Sequence, residues 1–134
     1  MKKTKNNQDR KYLPTLADLI DVLSIDQIKE FKLKNKQSYS HEMEKVSHDI
    51  DLLISQKQIK LSARLIRIII VIAQINVFIW NNKDNMQQDP DHYNELLKLA
   101  HQLNGIRNRM KNVLLELSYE VEPSKKRTNV DTDD

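Results

Sequence analysis

The sequence predicts an all-α fold, a four-helix bundle with an apolar central third helix and a long fourth helix, on three observations. Residues 65–80, LIRIIIVIAQINVFIW, are apolar at thirteen of sixteen positions, in a chain otherwise rich in Lys, Asn, Gln and Asp. A segment that apolar all round cannot face water on any broad side, so other elements are expected to enclose it. The 134 residues contain one glycine, Gly105, and three prolines, whereas turn-rich β architectures need Gly, Asn-Gly or Pro at regular spacing. Finally, apolar residues recur at alternating spacings of three and four from Leu96 to Leu117, the pattern of a helix face. The length suits one domain with a single core.

The first helix is expected to begin near Leu16. Thr15 follows Pro14 and can cap it, with Asp18 three residues on in a capping-box arrangement. Leu16, Leu19, Ile20, Leu23, Ile28 and Phe31 supply its apolar face. Ser24 with Gln27 repeats the capping signature, which leaves room for a kink there. KLKNKQS, 32–38, reads as a polar connection. A second helix is predicted from about Ser40 to Ser55, with Tyr39, Met43, Val46, Ile50 and Leu53 spaced as a heptad seam. Ser62 can cap the third helix, from Ala63 to about Asn82. NNKDNMQQD, 81–89, reads as a loop, after which Asp89 caps a last helix with Pro90 at its first position, where a missing N–H costs nothing. The seam Leu96, Leu99, Leu103, Ile106, Met110, Val113, Leu117 keeps its phase through Gly105. One continuous helix is therefore expected to about Glu120, roughly 45 Å long at 1.5 Å per residue.

Two alternatives for 65–80 are weighed and set aside. Its Ile and Val residues favour strands, but a lone strand among helices would have no partner for its backbone groups. It is also shorter than the ~20 residues a bilayer core requires and carries Arg67, Gln74 and Asn76, so no membrane span is expected.

The formal charge of +3 is unevenly placed. Residues 1–12 carry a net +4, residues 121–134 a net −1, and the remainder is neutral. Residues 1–12 read as a disordered basic arm, 13–120 as the helical bundle domain and 121–134 as a disordered tail. A neutral body lacks the phosphate-binding face that drives nucleic-acid affinity, so such attraction is confined to a weak contribution from the arm. The chain has no cysteine, which excludes disulfides, thiolate nucleophiles and Cys-based zinc sites and fits a cytoplasmic location. The N-terminal charges are not followed by the apolar stretch of a signal peptide.

Positive evidence for catalysis is lacking: there is no Gly-rich phosphate loop, nucleophile elbow or zinc-protease pair. His41, Glu44, His48 and Asp51 share one helical stripe, but it borders the seam and reads as an exposed polar face; no metal and no cofactor are expected. Polar residues that approach the core are more informative. Asn76 shares a face with Ile69, Ile72 and Trp80; Arg107 lies beside the apolar seam of the last helix; Asn104, Asn108, His101 and Lys111 form the adjoining stripe. Asp18, Asp21 and Ser24 are spaced by three on the first helix. Buried charges must be paired and buried amides bonded, so an Arg107–Asp21 pair bridged by Asn76 is expected. Such a network can fix helix register. It can also form a pocket for a small anionic ligand, with Arg107 as the clamp and Trp80 as a stacking wall.

The segments TLADLIDVLSIDQIK, Asn76-Val-Phe-Ile-Trp80-Asn-Asn-Lys-Asp84 and Leu103-Asn104-Gly-Ile-Arg107-Asn108 resemble an uncharacterised helical domain family of bacteria and phages. Its motifs read L-I-D-x-L-S-I, N-x-x-x-W-H-x-E-D and L-N-x-x-R-N, and the resemblance covers about 16–117. It implies that Asp21, Ser24, Asn76, Trp80, Asp84, Asn104, Arg107 and Asn108 belong to one constellation. The family's His and Glu positions are Asn81 and Lys83 here, so acid–base chemistry resting on them would be lost. Some members are associated with glycosyltransferase genes. Together these readings predict an interaction protein, a homo-oligomer or one that docks on a protein partner. The apolar surplus of the third and fourth helices motivates it. The alternative is a protein that binds or processes a nucleotide or sugar-phosphate at the polar cluster; a phage-encoded factor fits either.

Overall fold

A capping box starts the chain's first helix as its sequence predicts. The Thr15 hydroxyl accepts from the Asp18 amide at 3.2 Å, and the Asp18 carboxylate accepts from the Thr15 amide at 3.4 Å, satisfying two donors that a helix start leaves open. The computed structural model describes residues 14–33 and 36–118, with backbone alone for 36–38. The arm and tail expected at 1–12 and 121–134 lie outside the described residues. Four helices follow one another: α1 Leu16–Lys32, α2 Lys36–Lys57, α3 Ala63–Gln88 and α4 Tyr93–Leu117, with a 3-10 turn at Pro90–His92 before α4. The fold is all-α, a four-helix arrangement with an apolar third helix and a long fourth.

Several boundaries differ from expectation, each for a local reason. Ser24 does not kink α1; its hydroxyl donates back to the Asp21 carbonyl at 3.3 Å and the helix continues, as mid-helix serines do. Phe31, placed on the apolar face by spacing, is almost wholly exposed. The second helix starts earlier than Ser40 and ends in a Schellman motif. Gln58 adopts a left-handed conformation with φ 53°, and the amides of Gln58 and Ile59 donate to the carbonyls of Ser55 and Ile54, closing the helix end.

Residues 81–88, expected as a loop, instead prolong α3. NNKDNMQQ contains no breaker before Pro90, and buried Asn82 fastens the extension by donating to the Leu96 carbonyl at 2.9 Å. Asp89 precedes the 3-10 turn, but its carboxylate takes the His92 ring at 2.9 Å rather than a backbone amide. Helix α4 runs unbroken through buried Gly105. Of its predicted seam only Leu103 is buried; the other buried positions are Gly105, Lys111, Asn112, Leu114 and Leu115. The face is broader than a seam because α4 packs on both α3 and α1.

The chain forms two helical hairpins, α1/α2 and α3/α4, with α1 packed against all three other helices. Their main core joins Leu16, Leu19, Ile20, Val46, Leu53, Leu65, Ile72 and Leu114. A smaller cluster of Ile75, Ile79 and Leu103 lies between α3 and α4. The expectation that the third helix is central and enclosed on all sides is corrected here. Helix α1 holds the middle, and only 22% of the most apolar stretch of α3 is buried. By length and composition α3 could cross a membrane. Asn76, however, holds it into the bundle by the bonds described next.

Candidate functional site

Where α1, α3 and α4 meet, the buried side chain of Asn76 joins an acidic helix to a basic one. Its amide nitrogen donates to Asp21 Oδ1 at 2.8 Å and to Ser24 Oγ at 2.6 Å. Its oxygen accepts from an Arg107 terminal nitrogen at 3.1 Å. The reverse amide orientation would set an NH2 group against the guanidinium and an oxygen against a carboxylate, so the partners fix it. The other Arg107 terminal nitrogen donates to Asn104 at 2.8 Å. Lys111, one turn beyond Arg107 on α4, reaches Asp18 at 2.9 Å and Asp21 at 3.4 Å. Two carboxylates thus face two cations with amides and a hydroxyl between them, the condition for burying charge.

Asp21, Ser24, Asn76, Asn104 and Arg107 therefore converge, and Asn76 bridges the Asp21 side to the Arg107 side. The expected Arg107–Asp21 pair bridged by Asn76 is present, and the direct ion pair of Asp21 is with Lys111. Trp80 is half-buried one turn past Asn76, Asp84 is exposed two turns past it, and Asn108 is half-buried on α4. Sequence reasoning placed Lys111 and Asp18 near this stripe without assigning them to the network. The i, i+4 spacing from Arg107 and the i, i+3 spacing from Asp21 were the available signals. Arg107 Nε is the cluster's buried polar atom left without a partner.

Asp26, not singled out by sequence, is buried on α1. Its carboxyl is pushed up to about 6, first by burial and then by the Glu42 carboxyl of α2, with Lys29 opposing. Burial disfavours the charged form, and so does a like charge. The His41, Glu44, His48 and Asp51 stripe is exposed, and Glu44, His48 and Asp51 border a shallow polar groove. Among the described residues no group of three or more His, Asp or Glu side chains is placed to hold a metal.

An apolar cleft of about 300 Å³ opens between the hairpins. Ile20 and Leu23 of α1, Ile50 and Ile54 of α2, and Leu65 and Ile69 of α3 line it, with Ser24 and Gln27 as its polar members. It exists because α2 leans on α1 and leaves α3 uncovered on that side. Leu61, in the connection between α2 and α3, stands exposed at its edge. Compared with protein-family models, curated proteins and solved structures, the chain matches none.

Proposed function

We propose that this chain is a helical-bundle interaction protein that self-associates or docks on a protein partner, with no evident catalysis. The uncovered apolar surface of α3, with Ile66, Ile70, Val77 and Phe78 exposed beside the open cleft, carries this reading. Scattered apolar residues are ordinary on a protein surface, but a contiguous patch on one helix marks a contact site. The polar cluster supports it indirectly. The Asn76 amide and both Arg107 terminal nitrogens are committed to partners within the chain, which suits a device that sets helix register. Light scattering of the purified chain together with binding of an apolar dye tests it. An associated species, or a monomer that binds the dye through α3, is expected; a strict monomer without dye binding removes the reading.

One observation favours a second reading, a small anionic ligand such as a nucleotide or sugar-phosphate at the cluster. Arg107 Nε is buried and unpartnered, and a guanidinium edge of that kind suits an anion. Thermal shifts against a panel of nucleotides and nucleotide sugars test it. A ligand at a hundred times its Kd adds about 2.7 kcal/mol of stability. No shift across the panel would remove it.

A further inference from the structure

We propose that the outward face of α3 is covered by the same face of a second copy of this chain, the two helices running antiparallel about a twofold axis at Ala73. The proposal rests on the association reading above and names its partner.

The face has the spacing of a helix-packing seam. Ala63, Ile66, Ile70, Ala73, Val77 and Trp80 recur at three, four, three, four and three residues, the repeat that packs one helix on another. Ile66, Ile70 and Val77 are 42%, 48% and 39% exposed, and neighbouring Phe78 is 57% exposed. No described helix lies over them, since α3 packs on α1 and α4 by its other faces.

The seam is also close to self-complementary. Ile70 and Val77 flank Ala73 at three and four residues, Ile66 and Trp80 at seven on either side, so a reversed copy sets apolar side chains level with apolar side chains. Alanine at the crossing point admits close approach of two backbones. Gln74, the polar residue at the middle of the face, carries donor and acceptor together. Two copies related by a twofold axis can satisfy each other there, as isologous contacts require.

Charge selects the antiparallel sense. Exposed Arg67 borders the face in the first half of α3 and exposed Asp84 continues its seam near the end, while exposed Arg64 and Lys83 lie off it by helical spacing. Parallel copies in register would oppose Arg67 to its own counterpart and align the helix dipoles; antiparallel copies bring Arg67 toward the end that carries Asp84, where the helix dipole is negative. Arg67 and Phe78 are eleven residues apart and share one flank of the helix. Reversal about Ala73 brings Arg67 of one copy within one residue's rise of the exposed Phe78 ring of the other, in reach of a cation–π arrangement. A stable interface removes about 800 Å² per partner. The seam from Ala63 to Trp80 is about 26 Å long, and exposed Leu61 and Ile54 at the cleft edge extend its apolar area beyond one stripe.

Light scattering of the full chain should give twice the 15.8 kDa chain mass. Ile70→Glu, an exposed position, should return one chain mass with unchanged circular dichroism, while Glu44→Ala on the polar face of α2 leaves the dimer intact. Orientation is read by disulfide trapping, since the native chain has no cysteine. Mixed Arg67→Cys and Phe78→Cys chains should link to each other far faster than either links to itself. Self-linking of each variant, or a dimer that survives Ile70→Glu, overturns the proposal. So does a wild-type mass of one chain at sub-millimolar concentration, and parallel arms then separate the causes. A monomer whose dye binding is lost in Ile70→Glu leaves another protein partner as occupant. A monomer that floats with phosphatidylcholine–phosphatidylglycerol vesicles assigns the face to a bilayer. A monomer that does neither removes the association reading as well.

Discussion

Asn76 can serve a carboxylate and a guanidinium at once because its amide presents donors on one side and an acceptor on the other. Asn76→Ala would leave Asp21 Oδ1 and an Arg107 terminal nitrogen buried with fewer partners, and hydrogen bonds to charged groups are the costly ones to lose. A loss of roughly 3 kcal/mol by urea unfolding is expected, whereas exposed Asn81→Ala should stay within about 0.5 kcal/mol. Asp26 makes a different prediction. Its folded pKa of about 6 lies above the ordinary 3.8, so the folded chain holds this proton more tightly than the unfolded one. The stability it contributes is full below the lower value and is lost as pH rises through the upper one. At about 1.36 kcal/mol per unit the change is at most about 3 kcal/mol. Lys29 on α1 and Glu42 on α2 face the same carboxyl, and Glu42 is the group whose charge opposes it. Asp26→Asn keeps the uncharged form at every pH. Urea midpoints for wild type and variant should therefore diverge between about pH 4 and pH 7, the variant gaining. Parallel curves would show that Asp26 does not titrate in this window.

At the scale of the element, the starts of α1 and α3 were legible, whereas the start of α2 and the ends of α2 and α3 were not. Thr15 and Ser62 announce α1 and α3 because capping chemistry is written in one side chain and its spacing to the next; the Ser62 hydroxyl accepts from the Leu65 amide at 3.1 Å. The end of α3 was missed because Asn and Asp were read as loop formers, while Asn82 is buried and held by the Leu96 carbonyl fourteen residues on, a tertiary bond that no local pattern encodes. The polar cluster was legible in Asp21, Ser24, Asn76, Asn104 and Arg107, since polar residues on apolar stripes must find one another. That Lys111 rather than Arg107 takes Asp21 depends on side-chain reach, which spacing does not fix. The end of α2 was hidden for another reason: Gln58 stands where a left-handed residue is needed and glycine is usual. A side chain there costs about 1 kcal/mol or more. Gln58→Gly should accordingly raise stability by roughly 0.5–1 kcal/mol, after the entropy gained by the unfolded chain is counted. Gln56→Gly, two residues earlier inside the helix, should lower it by about 1 kcal/mol. Thermal melts of the two variants check both signs; a Gln58→Gly chain no more stable than wild type would mean that the left-handed turn is not formed.

For the whole molecule, the consequence of placing α1 rather than α3 at the centre is an uneven distribution of stability. Helix α2 packs on α1, with Val46 and Leu53 as its buried side chains among the described residues. It is further held by Ser40 donating to Glu30 at 2.6 Å and by the Lys29 ammonium 5.5 Å from the Tyr39 ring centre. Both of these contacts are near the surface, where such interactions contribute little. Helices α3 and α4 instead share two apolar clusters, the Asn76 network and the Asn82 bond. Segments with few buried apolar contacts open at lower free energy than the global transition. Backbone amides of α2 should therefore exchange with deuterium well before those of α3 and α4, and the cleft between the hairpins widens when they do. Leu53→Ala removes the larger of the two α2 anchors, at a cost of about 2–5 kcal/mol. Because that cost falls on the α1/α2 contact, it should accelerate exchange in residues 36–57 and leave the cores of α3 and α4 nearly unchanged. Uniform acceleration along all four helices would instead show a single cooperative unit, in which α1 transmits the loss of α2 to the whole bundle.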